Sequence, residues 1–118
     1  MKGSILREKS FDFAKCIIKT YKFLINEKKE YVLSKQLLRS GTSIGANIRE
    51  AQYAQSQKDF ISKLSIALKE ANETEYWIEL LRDEYLSDEM AKSLHCDVIE
   101  LIKLLTASIN TAKKRVNK

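Results

Sequence analysis

Four long segments of this sequence repeat their apolar residues every three or four positions, and no proline interrupts them. That spacing matches the 3.6-residue turn of an α-helix and not the two-residue alternation of a β-strand. We predict helices at approximately residues 10–28, 32–53, 57–83 and 88–114, joined by short polar links. The predicted fold class is all-α: an antiparallel up-down-up-down four-helix bundle, formed as a single domain over residues 1–118.

Serine residues indicate where two of these helices begin. Ser10 precedes the first apolar pattern, and Ser87 precedes the fourth with Asp88 and Glu89 directly after it. A serine side chain can accept a hydrogen bond from the first turn, and acidic residues there favour the helix macrodipole. We therefore predict Ser10 and Ser87 as N-caps.

Two glycines, Gly41 and Gly45, fall in phase with the apolar face of the second helix. A phosphate-binding loop would need Lys-Ser/Thr after the second glycine, whereas Ala46 and Asn47 follow here, and no strand precedes them. Each interior glycine costs a helix roughly 0.8–1.0 kcal/mol relative to alanine. We predict that both permit close packing of a neighbouring helix. An interruption of the helix, with Ser43 as a new N-cap, is an open alternative.

The positive charge is unevenly distributed. Residues 1–56 carry eleven Lys/Arg against five Asp/Glu, residues 57–87 four against seven, and residues 88–118 six against four. A basic surface favours acidic partners such as nucleic acid. The candidate phosphate contacts are Lys15, Lys19, Lys22, Arg39, Arg49, Lys113, Lys114 and Arg115. The other interpretation of the last three is a solvated helix end, where the macrodipole favours cations.

The third helix has a second apolar stripe, formed by Ile66, Tyr76, Trp77 and Leu80, on the side away from its predicted core. Exposed aromatic patches often mark protein contacts, so we predict a homo-oligomer interface here. The alternative is that Trp77 covers a neighbouring element of its own subunit.

No catalytic or metal-binding pattern is present. His95 is the only histidine, and its neighbour Cys96 would point about 100° away on a helix. Cys16 and Cys96 form no CxxC motif, and we expect free thiols. No apolar run reaches the ~20 residues of a membrane span, and the N-terminal residues are too charged for a secretory signal. We expect a cytoplasmic non-enzyme with no cofactor, no metal and no membrane association.

The segment SGTSIGANIREAQYAQSQKDFISKLSIALKEANETEYWIELL, residues 40–81, is similar to the signature of the 23S rRNA intervening-sequence proteins. The matching positions are Ser43, Ala46, Asn47, Ile48, Phe60, Ala67, Leu68, Glu70, Ala71, Glu73, Thr74 and Glu75. The chain departs from many members at Gly45, where they have proline, and at Arg49-Glu50-Ala51, where they have Ala-Glu-Gly.

The resemblance implies an all-α bundle, a ring-like homopentamer with a basic surface, and no catalytic activity. It extends to accessory proteins of diversity-generating retroelements, which bind nucleic acid and associate with a reverse transcriptase. Our leading hypothesis is an oligomeric bundle that binds RNA or DNA through phosphate contacts. The alternative is an interaction scaffold that docks another protein, such as a polymerase, and does not itself bind nucleic acid.

Overall fold

The computed structural model describes residues 2–117, with side chains from residue 5 onward. It contains four helices: α1 (Lys2–Asn26), α2 (Leu33–Gln52), α3 (Gln57–Leu81) and α4 (Asp88–Val116). Each helix packs against two neighbours, in the cyclic order α1, α2, α3, α4. The bundle measures 51 × 21 × 21 Å. The predicted all-α four-helix bundle is confirmed.

Residues at helical spacing build the core. Ile17, Leu37, Ile78 and Leu105 are fully buried, one from each helix, and further leucines, isoleucines and alanines extend this core along the bundle. Charged residues lie mainly on the outer sides. The burial of one apolar stripe per helix explains why an amphipathic sequence of this period forms a bundle.

α1 begins at Lys2, so the prediction that Ser10 caps this helix is wrong. Ser10 is buried inside α1, and its Oγ donates to the backbone oxygen of Arg7 at 3.2 Å. The apolar period continues N-terminal to Ser10 because Leu6, one heptad before Phe13, is also buried. These additional turns bring Arg7 alongside α2.

α2 is a continuous helix through both glycines, so an interruption at Ser43 is ruled out. The Ser43 Oγ donates to the backbone oxygen of Arg39, one turn earlier, as a residue inside a helix can. A Cβ added to Gly41 would lie 2.8 Å from Cγ1 of Ile17, and one added to Gly45 would lie 3.3 Å from the Ser10 Oγ. Both glycines therefore lie where α1 approaches closely, at Gly41 too closely for alanine without a shift.

The helix starts use two kinds of cap. The Ser87 Oγ accepts a hydrogen bond from the Met90 backbone N–H at 3.1 Å, which confirms the predicted cap of α4. α2 instead begins above the buried Glu30, whose carboxylate accepts from the backbone N–H groups of Val32, Leu33 and Ser34. Burial by itself would raise the pKa of Glu30, but these hydrogen bonds together hold it below the usual value.

Candidate functional site

The two helical hairpins carry opposite charge. Residues 2–53, which form α1 and α2, contain eleven Lys/Arg against five Asp/Glu. Residues 57–112, which form α3 and nearly all of α4, contain six against eleven. Since neighbouring helices pack directly on each other, this difference in sequence becomes a difference between two sides of the bundle. One side is suited to anions and the other is not.

The three predicted cations of α1 are all exposed and share one side of the helix. Lys15, Lys19 and Lys22 lie within about 60° of arc on the helical period. Lys15 is 3.6 Å from the Asp12 carboxylate in an exposed pair, while Lys19 and Lys22 have no ion-pair partner among the described residues. At least two ammonium groups on this side are therefore available to an anionic ligand.

Arg39 and Arg49 are exposed on α2, the second helix of the same hairpin. Neither makes an ion pair within 4.0 Å among residues 5–117. The positive charge of Arg39 does act on Glu70 of α3. Burial raises the pKa of Glu70, and the negative charge of Glu73 raises it further. The positive charges of Arg39 and Lys69 lower it in part. The charge of Arg39 is thus partly balanced by Glu70 of α3.

Lys113, Lys114 and Arg115 occupy the last turn of α4, and all three are exposed. The Lys9 ammonium lies 3.3 Å from the Glu100 carboxylate, which aligns the early part of α1 with the middle of α4. In an antiparallel bundle the end of α4 therefore lies at the end where α1 begins and α2 finishes. The C-terminal cations share that end with Arg49, while Lys19 and Lys22 lie nearer the other end.

A groove between α1 and α2 contains two functional candidates that the sequence analysis missed. It measures about 320 Å³, and Arg7, Phe11 and Arg49 line it together with mostly small residues. Phe11 is 53% exposed, and the Lys15 ammonium lies 5.1 Å from its ring centroid. The predicted start of α1 at residue 10 excludes Arg7, whereas Phe11 lies inside the predicted helix but off its apolar core face. The signal that could have found Arg7 is Leu6, which continues the apolar period of α1.

The second apolar stripe of α3 is only partly as predicted. Ile66, Tyr76 and Leu80 are exposed, at 41%, 58% and 45%. Trp77 is instead half-buried against the core of its own subunit, with its Nε1 donating to Glu73 at 3.4 Å and its ring 5.2 Å from that of Tyr76. The large indole reaches inward from the flank of α3, so the exposed stripe consists of Ile66, Tyr76 and Leu80.

His95, Cys16 and Cys96 are the side chains best suited to nucleophilic attack or to binding a transition metal. The His95 Nε2 lies 2.8 Å from Glu75 across the α3–α4 contact, and both cysteines are free and exposed. Within residues 5–117, no three His, Cys, Asp or Glu side chains come together in a way that could hold a metal ion. As far as the structure describes them, none of the four helices has a stretch both long and apolar enough to cross a bilayer.

Comparison with known proteins identifies relatives of this bundle. The family described as 23S rRNA-intervening sequence protein matches residues 2–107. The chain is also similar to a protein with unknown function from the S23 ribosomal protein family of Bacteroides thetaiotaomicron VPI-5482, which is known from a crystal structure. The two sequences are 60% identical. The match covers 93% of this chain and 99% of that one, with a TM-score of 0.91. No curated protein matches.

Proposed function

This chain belongs to the 23S rRNA-intervening sequence protein family, and we propose that it is a non-enzymatic, oligomeric bundle that binds RNA or DNA electrostatically. The observation that carries the proposal is the concentration of exposed cations on the α1–α2 hairpin and at the end of α4, most of which have no ion-pair partner among residues 5–117. Cations without internal partners can neutralise phosphates without first breaking an ion pair. Neutralised phosphates release bound counterions, which drives association.

The proposed contacts are Lys15, Lys19, Lys22, Arg39, Arg49, Lys113, Lys114 and Arg115. Each is worth little alone at the exposed surface. In a homo-oligomer every cation is repeated once per subunit, so contacts from several subunits to one nucleic-acid chain add up to useful affinity. No motif for reading base edges is present, and we expect preference by charge and shape.

We further propose that Ile66, Tyr76 and Leu80 form the subunit interface, with Trp77 supporting them from beneath. Three exposed apolar side chains at the spacing of one helical side are unfavourable in water and favourable in a protein contact. The family resemblance implies a pentamer. Light scattering on the purified protein measures the mass directly, and a monomer at micromolar concentration would contradict this part of the proposal.

The test of nucleic-acid binding is fluorescence anisotropy with labelled structured RNA, single-stranded RNA and duplex DNA, titrated with protein at two salt concentrations. We expect binding at micromolar concentration or tighter that weakens steeply with salt. Changing Lys113, Lys114 and Arg115 to Gln should weaken binding. It should also make the logarithmic salt dependence for a single strand shallower by about 2, at about 0.7 for each phosphate that is no longer neutralised.

The second candidate is a scaffold that docks another protein, such as a polymerase, without itself binding nucleic acid. The exposed stripe on the acidic hairpin favours it because this surface offers apolar contact and repels phosphate. The same titrations separate the two candidates. If the wild-type protein binds none of the three nucleic acids at low salt, the first proposal fails and the scaffold becomes the leading one.

A further inference from the structure

We propose that the groove between α1 and α2 binds one nucleotide of a single-stranded nucleic acid, with the base stacked on Phe11 and the phosphate held by Arg7 and Arg49. This inference rests on the proposed function and deepens it. It assigns a site and a ligand class where the charge distribution alone predicts neither.

Phe11 is the first reason. At 53% it is the most exposed large apolar side chain among the described residues of α1, ahead of Ile5 at 43% and Ile18 at 39%. An exposed aromatic ring beside cations is the arrangement with which proteins bind unpaired bases, because every base offers a π-face for stacking. The Lys15 ammonium, 5.1 Å from the ring centroid, brings a further cation to the same place.

The two arginines are the second reason. Arg7 on α1 and Arg49 on α2 line the groove from its two sides, and both also line an adjoining cavity together with Phe11. Neither guanidinium has an ion-pair partner among the described residues. A planar guanidinium donates two parallel hydrogen bonds to a phosphate, so two free arginines beside an aromatic ring match the two ends of a nucleotide.

Two carboxylates also border this site. Glu50 is engaged elsewhere, since its carboxylate lies 3.5 Å from the Lys63 ammonium of α3. Glu8 lines the adjoining cavity and has no ion-pair partner among residues 5–117. The site therefore has more positive than negative charge, and Glu8 should oppose an anion there. The proposal therefore predicts that removing the negative charge of Glu8 strengthens binding of an anion.

The shape of the groove selects a single strand. The groove lies between two packed helices and has a volume of about 320 Å³. Part of its lining consists of small residues, namely Ala14, Gly45 and Ala46. A planar base can enter this space. The bases of a duplex stay stacked on each other and paired, so they cannot reach Phe11 without being unstacked.

The experiment uses the full-length protein and a single-stranded oligonucleotide that carries one 2-aminopurine, whose fluorescence is quenched when the base stacks. Phe11→Leu keeps the charge and much of the apolar volume but removes the ring. We expect wild-type protein to quench the fluorescence, and Phe11→Leu to bind the single strand about 5- to 100-fold more weakly. Binding to duplex DNA should change by less than about twofold.

Several variants serve as controls. Phe11→Trp should restore both quenching and affinity, because it restores a stacking surface. Tyr53→Leu removes another exposed ring, 76% accessible and outside this groove, and should leave binding unchanged. Glu8→Gln should strengthen binding, and Arg7→Gln should weaken it. Thermal unfolding and light scattering of each variant establish that fold and assembly are intact.

Three results with the Phe11→Leu variant would overturn the inference. The first is a Phe11→Leu variant that binds single strand and duplex as the wild type does. The second is an equal loss for both ligands, and the third is a changed oligomer mass, which would make the groove a subunit contact. Wild-type protein that binds single strand and duplex without quenching would refute this site and leave the proposed function standing. No binding of either ligand at low salt would refute both.

Discussion

The α1–α2 hairpin and the α3–α4 hairpin have the same architecture and opposite surfaces. The first hairpin is basic, packs closely at Gly41, and carries a groove beside Phe11. The second is acidic until the last turn of α4 and exposes the stripe of Ile66, Tyr76 and Leu80. Both bury the same kind of apolar stripe in a common core. The residues outside that core are therefore what gives the two hairpins different surfaces.

The difference also concerns how each hairpin is stabilised. α2 starts on the buried carboxylate of Glu30, whereas α3 and α4 start on the exposed hydroxyls of Ser56 and Ser87. The first hairpin thus depends on a titratable group and on close helix contact. The second relies on hydroxyl caps and ordinary side-chain packing, with the Asp59 carboxylate accepting from the Gln55 backbone N–H at the start of α3. Substitutions matched between or within the hairpins can test each part of this comparison.

The largest expected effect on stability is that of Gly41→Ala. Its new Cβ would lie 2.8 Å from Cγ1 of Ile17, and relieving that overlap should lower the free energy of unfolding by about 1–3 kcal/mol. Gly45→Ala is the matched control. Its Cβ would lie 3.3 Å from the Ser10 Oγ, so a small shift and the gain of about 1 kcal/mol in helix propensity should nearly cancel.

Urea unfolding measures both variants, and an Ile17→Ala background identifies the cause. Without the Ile17 side chain, Gly41→Ala should lose most of its cost, because the atoms that it meets are gone. A cost that persists in this background would mean that close packing against α1 is not the reason for the glycine.

The next effect is that of Glu30→Gln, expected to lower the free energy of unfolding by about 1–2 kcal/mol at pH 7. The folded-state pKa of Glu30 lies below its ordinary value of 4.5, so its carboxylate stabilises the fold above about that pH. This stabilisation is lost as the pH falls through the folded-state pKa. The difference between wild type and variant should therefore shrink below pH 4.5.

Ser87→Ala in the second hairpin is the comparison for Glu30→Gln. A hydroxyl does not titrate in this range, so its cost of about 0.5–2 kcal/mol should stay nearly constant with pH. Denaturant unfolding at several pH values from about 3.5 to 7 distinguishes the two caps. Parallel pH profiles for both variants would contradict the role assigned to the Glu30 carboxylate.

The smallest effect on stability belongs to Leu80→Lys, which should change the free energy of unfolding of a subunit by less than about 0.5 kcal/mol because Leu80 is 45% exposed. Its effect on assembly should be large, since an ammonium group would be placed in the proposed interface. Light scattering should show a smaller particle, while Val32→Lys, at another exposed apolar residue, leaves the mass unchanged. Unchanged mass in Leu80→Lys would remove the stripe from the interface.

Much of the fold was predictable because the helical period is strong in all four segments. The cap at Ser87 was predictable for a related reason, since the serine and the two acidic residues after it form a local signal. The start of α1 was not, because Ser10 has the residue type of a cap and the position of a core residue. The Ser10 side chain packs against Gly45 of α2, and that contact joins residues far apart in sequence.

The candidate site was predictable in its charges and not in its geometry. That Lys19 or Arg49 would be exposed follows from the apolar period of its own helix. Arg7 and Arg49 line the same groove because of the register between α1 and α2. The apolar pattern of one helix does not predict that register. The half-buried position of Trp77 likewise depends on how α3 is rotated against its neighbours.

The central claim is that the location of the cations, and not the net charge of the chain, produces nucleic-acid binding. The most direct test compares two triple variants of equal charge change: Lys15, Lys19 and Lys22 to Gln on the basic hairpin, and Lys58, Lys69 and Lys103 to Gln on the acidic one. The measurement is the salt dependence of affinity for one labelled single-stranded RNA. We predict weaker binding and a shallower salt dependence for the first variant only, by up to about 2 in logarithmic slope. Equal losses in both variants, or none in either, would contradict the account.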